Sequence, residues 1–310
     1  MLSTLMVVLP IFALILAGWL VRRIGLLSAH ATTELNRFVV YLALPALLFD
    51  VMAHTRWDEI WQPGFIAVFG LSSLAVFGLT VLIRRRRLPL ADAAIDGLNA
   101  GYPNTGFMGF PLALVALGRD ALAPTTIAAI MTVCVVFAAA IVLIEIGLQG
   151  RARGGTLVRK VAGSLVRNPL LVAPALGALV PAAGLAVPLP AETFLKLLGG
   201  AASPCALVGL GLFLAQGRAR PEGDRSAAAL LVGLKLAVHP VLAWLLARFV
   251  FDLPPLLLHD AVLMAALPTG TGPFMLAEHY RREAAVTARV VLVSTILSVL
   301  TVSGYLAAIR

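Results

Sequence analysis

Apolar positions along this chain come in long runs, not in alternation. Read as helices, the runs fall at about 5–21, 36–53, 65–83, 91–117, 124–148, 168–185, 192–216, 227–250, 256–280 and 287–309. A helix needs about 20 mainly apolar residues to cross a hydrocarbon core roughly 30 Å thick. Turn signals such as Gln62-Pro63-Gly64 and Pro188-Leu189-Pro190 separate several of the runs. The pattern predicts an all-α integral membrane protein of ten transmembrane helices.

Composition narrows the class. Of 310 residues, 60% are hydrophobic and only 13% charged, and the mean hydropathy is +0.98. Soluble domains run at roughly 45–50% apolar and about a quarter charged, so water-soluble enzymes, disulfide-rich secreted domains and disordered tails are excluded. Cys134 and Cys205 lie inside apolar runs, without disulfide or metal spacing, and are expected to be packing residues. No positive charge precedes the first run, and Arg22 and Arg23 follow it. The N-terminus is therefore expected to be a retained span and not a cleaved signal.

The net charge of +9 would suggest nucleic acid in a soluble chain. Here the charge sits in short clusters between spans, so no nucleic acid is expected. The loops after spans one, three, five, seven and nine hold 17 of the 24 Lys and Arg residues, including Arg84 to Arg87 and Arg281 and Arg282. The opposite loops and ends hold Arg56, Arg119, Lys196, Arg248 and Arg310. The positive-inside rule then places both termini on the outer side of a plasma (inner) membrane.

The longest interior loop divides the chain into a first five-helix repeat (1–150), a basic cytoplasmic linker (151–167) and a second repeat (168–310). Five spans per half force the second half to enter from the other side, so related halves form an inverted repeat. Three proline pairs support this. Pro10 and Pro174 are 164 residues apart, Pro45 and Pro204 are 159 apart, and Pro103 and Pro268 are 165 apart.

The fourth span carries Asn99-Ala-Gly-Tyr-Pro-Asn-Thr-Gly106 in mid-run, and the ninth carries Pro268-Thr-Gly-Thr-Gly-Pro273. Proline removes a backbone donor and glycine adds freedom, so neither span continues as one helix through its centre. Freed backbone groups are tolerated at that depth only inside protein or beside a wet cavity. Paired interruptions in two halves point to a transport site. Half-helices starting near Thr105 and Thr271 would favour an anion at their positive ends. Asn104, Thr105, Thr269 and Thr271 could cap those starts or bond a carboxylate. The plainer alternative is a pair of proline kinks that satisfy their own backbone.

Charged groups at depth are weighed separately. Lys235 lies within span eight, with His239 one turn on. Lys235 could offset a substrate's charge or snorkel to the interface. Asp50, Asp92, Asp96, Glu145 and Glu278 fall near span ends and read first as interfacial or paired groups. Asp96 stands out because Asn99, Tyr102 and Pro103 follow it on the same span. Asn36 and Tyr41 open span two and could reach a cavity. The histidines show no ligand partner at metal spacing, so no metal and no cofactor is expected.

Three stretches, Asn36-Arg-Phe-Val-Val-Tyr-Leu-Ala-Leu-Pro-Ala-Leu-Leu-Phe49, Gly101-Tyr-Pro-Asn-Thr-Gly-Phe-Met-Gly-Phe-Pro111 and Leu267-Pro-Thr-Gly-Thr-Gly-Pro-Phe-Met-Leu-Ala-Glu-His-Tyr280, resemble the auxin efflux carrier family. So does Ser203-Pro-Cys-Ala-Leu-Val-Gly-Leu-Gly211, and the resemblance runs from end to end. It implies a fold shared in outline with bile-acid symporters, with two inverted five-helix repeats whose helices four and nine are broken and cross beside a substrate cavity. It places Pro103 and Asn104 at the first crossover and Pro268 at the second; Tyr102, Thr105, Thr269 and Thr271 are the substrate-binding candidates beside them. Many relatives carry an asparagine after the second proline, where this chain has Thr269-Gly-Thr271. The ninth span is most similar to the bacterial branch described as malonate or malate transporters.

These readings converge on a non-enzymatic secondary carrier of small organic anions, such as malonate, malate or auxin-like acids, working by alternating access. The expected partners are that anion and the bilayer, and a homodimer stays open. Proton, sodium or no coupling ion also stays open. The alternatives are a sodium-coupled symporter of the bile-acid type and a non-transporting membrane sensor.

Overall fold

The computed structural model describes residues 2–28, 30–55, 61–149, 155–215, 223–282 and 284–309. Arg56, Arg151, Arg153, Arg218, Arg220 and Arg310, which entered the charge reading above, lie outside the described residues. Among the described residues the structure is helical, with turns and a single isolated bridge pairing. In chain order the helices are α1 (Leu2–Arg23), α2 (Ala31–Ala53), α3 (Pro63–Arg84), α4 (Leu90–Gly101) and α5 (Thr105–Leu117). Then come α6 (Arg119–Leu148), α7 (Gly155–Arg167), α8 (Pro169–Ala182) and α9 (Leu189–Ala215). The chain closes with α10 (Arg225–Val250), α11 (Pro255–Ala266), α12 (Gly272–His279) and α13 (Ala284–Ala308).

Six of these (α2, α3, α6, α9, α10 and α13) are long and apolar enough to cross a membrane. The end of α7 and all of α8 form a further apolar pair, bent by 69°. The bend has a local cause. Pro169 starts α8 and disfavours helix at the residue before it. Asn168 then caps α8, its side chain accepting from the Leu170 amide at 3.0 Å. Residues 155–167, expected as a linker, are therefore helical. Val161 is buried and Leu165 packs on the core, while Arg159, Lys160 and Arg167 are exposed. An apolar stripe opposite a basic face suits a helix lying in a membrane interface.

The helices pack as two bundles. In the first, α1 lies along the second half of α9, and α2 lies against α8 and α9. Backbones touch there. A Cβ on Gly18 would stand 2.1 Å from the Val208 carbonyl oxygen, and one on Gly211 2.0 Å from that of Ile15. Membrane helices associate through such small residues, because lipid supplies no hydrophobic drive between them. In the second bundle α3 packs on α4 and α10, α4 on α6, and α10 on α11 and α13. Its interior holds Phe65, Phe69, Leu98, Phe137 and Ile141, all buried. The outer surface is apolar as well, with Leu16, Leu71, Leu82, Val241 and Leu300 exposed. A surface of that kind is suited to hydrocarbon and not to water.

Acidic groups near the helix ends are paired. Asp92 accepts twice from Arg282, at 2.6 and 2.5 Å, and Asp96 accepts from Arg84 at 2.6 Å. Glu145 accepts from the Tyr280 hydroxyl at 2.8 Å and from Ser164 at 2.7 Å.

Candidate functional site

Helix α4 stops at Gly101, and α5 resumes at Thr105. Helix α11 stops at Ala266, and α12 resumes at Gly272. The extended residues between them pair across the fold. The Asn104 amide donates to the Pro268 carbonyl at 2.8 Å, and the Gly270 amide donates to the Tyr102 carbonyl at 3.0 Å. This is the antiparallel bridge between Pro103 and Thr269. Each break thus satisfies backbone groups of the other, which is why irregular backbone survives in an apolar interior. The interruptions are complete breaks, not kinks.

Two half-helices begin at this bridge, one on either side of it, because the pairing is antiparallel. Neither start has a side-chain cap, although Asn104 and Thr271 occupy the capping positions. First-turn amides generally lack an intrahelical acceptor, and the positive dipole end adds to their pull on an anion. Here the Thr105 amide donates to the Pro103 carbonyl at 2.9 Å and Pro273 has no amide hydrogen, which leaves the other first-turn amides for that role. Tyr102 closes the base of the site. Its ring packs so tightly on the second break that a Cβ on Gly272 would stand 2.7 Å from Cζ. The ring centroid lies 5.5 Å from that of Phe137.

The bridge forms one wall of a cavity of about 760 Å³. Tyr102, Pro103, Asn104, Thr105, Gly270 and Thr271 line it from the two breaks. Leu44, Leu47, Val51, His54 and Thr55 come from α2 and the residues after it, Leu122, Thr126 and Val133 from α6, and Gly199, Ser203 and Pro204 from α9. The cavity therefore lies between the two bundles. No Lys or Arg lines it among the described residues. The Thr105 hydroxyl is buried and has no hydrogen-bond partner.

Other sequence candidates fall elsewhere. Thr269 is absent from the cavity lining; its hydroxyl donates to the Asn99 carbonyl at 2.7 Å, and its amide donates to Ser294 Oγ at 3.1 Å. Pro268 is committed to the bridge through its carbonyl. Asn99 is buried behind the bridge and donates to Thr287 Oγ1 at 3.0 Å, while its own Oδ1 has no partner. Asp96 is in its ion pair with Arg84. Asn36 donates to the Met275 carbonyl at 3.2 Å, joining α2 to α12. Tyr41 is half exposed and stands edge-on to His279 at 5.5 Å. It lines a second, polar cavity of about 710 Å³ with Glu145, Arg159, Lys160, Arg167 and Tyr280. Lys235 and His239 are completely buried and line neither cavity.

The sequence reading missed His54, Thr55 and Thr126, because nothing local marks them; only the packing of α2 and α6 brings them to the site. Phe107 and Phe110, on α5, were missed too, although they fall within the second resembling stretch. Ser203 and Pro204 did carry a signal, since they open the fourth resembling stretch. Among the described residues no group of three metal-ligating side chains comes together. Cys134 and Cys205 are free thiols, each half-buried.

Comparison with known proteins agrees with this geometry. The model of a family described as "Membrane transport protein" matches residues 3–306. A protein of Rhizobium meliloti (strain 1021) named "Putative malonate transporter" is 32% identical over 306 residues, covering 98% of this chain and 95% of its own. An "Uncharacterized transporter" of Methanothermobacter thermautotrophicus is 26% identical over 293 residues, covering 94% and 93%. The "Uncharacterized transporter YfdV" of Escherichia coli (strain K12) is 26% identical over 284 residues, covering 88% and 87%. A match over nearly the whole length, joined to paired broken helices beside a cavity, places the chain in the membrane transport protein family, that of the auxin efflux carriers, as a multi-pass membrane protein and not an enzyme.

Proposed function

We propose that this protein is a secondary carrier of small organic anions that works by alternating access. The observation that carries the reading is the pairing of two half-helix starts on the wall of the 760 Å³ cavity. The substrate carboxylate sits against the first-turn amides of α5 and α12. Asn104, Thr105 and Thr271 bond it, and Tyr102 forms the floor.

The architecture proposed is ten spans in two inverted five-helix repeats, residues 1–150 and 168–310, joined through 151–167. Two features support it. The broken spans α4–α5 and α11–α12 take matching places in the two halves. The first bundle likewise draws α1 and α2 from one half and α8 and α9 from the other. Rocking of one bundle against the other would open the cavity to each side in turn. The charge bias places both termini outside a plasma (inner) membrane. By that orientation His54 and Thr55 mark the outer mouth, so the cavity opens outward here.

Two helix starts on one cavity wall suit either one carboxylate or the two carboxylates of a short diacid such as malonate, the compound in the Rhizobium relative's name. The apolar walls, including Leu44, Leu47, Phe107 and Phe110, also suit a monocarboxylate with an apolar body, such as indole-3-acetate. Uptake of labelled malonate, malate and indole-3-acetate into proteoliposomes, under separate sodium, proton and potential gradients, tests the reading. Accumulation of one anion, lost in Asn104→Ala, is the expected result. Full transport and affinity in Asn104→Ala would remove the site assignment, and binding without transport would make the protein a sensor.

A further inference from the structure

Lys235 is completely buried. It lies ten residues past Arg225 on α10, roughly 15 Å along the axis at about 1.5 Å per residue, too deep to snorkel. Its Nζ donates to the Ala265 carbonyl at 2.6 Å and stands 3.2 Å from His239 Nδ1. His239 Nε2 is in turn 3.1 Å from Ser73 Oγ on α3. Among the described residues no carboxylate pairs with Lys235.

The position of Ala265 gives this cluster its meaning. It lies in the last turn of α11, three residues before Pro268, where the half-helix presents the negative end of its dipole. Secondary carriers hold a coupling cation at such half-helix ends and unwound carbonyls near the membrane centre. Here a main-chain carbonyl and an imidazole nitrogen converge on a primary amine that belongs to the chain itself. As an ammonium, Lys235 donates to Nδ1, which leaves the imidazole hydrogen on Nε2 to face Ser73. An ammonium at membrane depth with no counter-charge is costly, and such groups mark function.

We propose that the Lys235 ammonium is a tethered cation occupying the place of a dissociable coupling ion, so that the carrier needs no inorganic cation. This rests on the reading of the crossover as an anion site, whose charge Lys235 balances from behind the break.

Chemical rescue tests it. Lys235→Ala leaves the carbonyl and imidazole without their cation, and methylammonium is the probe. The expected result is that methylammonium raises the melting temperature of Lys235→Ala but not of the unsubstituted protein, a readout that needs no substrate. Anion affinity should fall about tenfold or more, since 1.4 kcal/mol is a factor of ten. Methylammonium should recover affinity in Lys235→Ala and not in Lys235→Met, whose side chain fills the space. Should Lys235→Ala fail to fold, Lys235→Met reads the same loss of affinity with the packing volume kept. A sodium requirement for anion binding by the unsubstituted protein would overturn the proposal. So would variants that bind the anion normally and ignore methylammonium. If no anion bound the unsubstituted protein while methylammonium still stabilised Lys235→Ala, the tethered cation would stand and the anion-site reading would fall.

Discussion

The hydroxyl of Thr269 donates to the main-chain carbonyl of Asn99 at 2.7 Å, across 170 residues of sequence. The second break is thereby bonded to the last turn of helix before the first. With Ser294 holding the Thr269 amide at 3.1 Å, this residue joins α4, α13 and the second break. A threonine that looked like a carboxylate ligand in the sequence has its donor committed to the scaffold.

Thr269→Val keeps the side-chain shape and removes that donor. A net hydrogen bond of this kind is worth about 1 kcal/mol. Its loss is expected as a lower melting temperature in detergent, with anion affinity falling much less than in Asn104→Ala. Equal losses of affinity in the two variants would return Thr269 to the substrate.

Thr105 presents the opposite case. The residue lines the cavity, while its hydroxyl is buried and bonds nothing. An unsatisfied buried polar group costs about 1–3 kcal/mol, and an apolar isostere removes that cost. Thr105→Val should therefore be at least as stable as the parent protein and bind the anion more weakly. Thermal denaturation and equilibrium binding on the same preparation check it, and a variant that lost stability would contradict the role.

The fit between Tyr102 and the second break can be tested by disturbing it. A Cβ on Gly272 would stand 2.7 Å from Tyr102 Cζ, so the ring or the helix start must move. Overpacking of this kind costs about 1–3 kcal/mol. Gly272→Ala should lose stability and transport together, and Tyr102→Leu in that background should recover part of the stability. Additive losses in the double variant would mean that the two residues do not press on each other.

Gly106 offers a probe of the cavity. It is exposed and lines the cavity, and a Cβ there would meet nothing within 4 Å. In a background with Cys134→Ala and Cys205→Ala, Gly106→Cys should fold and react with a membrane-impermeant maleimide from the outer side. A transported anion should slow the reaction. Labelling from the inner side alone would reverse the proposed orientation.

Much of the fold was legible because its signals are local. Ten apolar runs report helices, and proline with glycine in mid-run reports a break, since each acts on its own backbone within a turn. The starts at Thr105 and Gly272 fall where Pro103-Asn104 and Pro268 to Gly272 led one to expect them. The helical form of 155–167 was not legible because its basic residues break the apolar run, although they share the segment with an apolar stripe at Val161 and Leu165.

What only the tertiary structure decided is which side chain meets which. Asn104 and Thr271 face the cavity, whereas Thr269 turns to Asn99 and Lys235 to Ala265 and His239. The cavity walls on α2, α6 and α9 carry no common motif. In hydrocarbon a sequence specifies how each span satisfies its own backbone, a matter of neighbours in the chain. The partners of a buried hydroxyl or ammonium depend on how distant helices pack, and that is settled only when the two bundles meet.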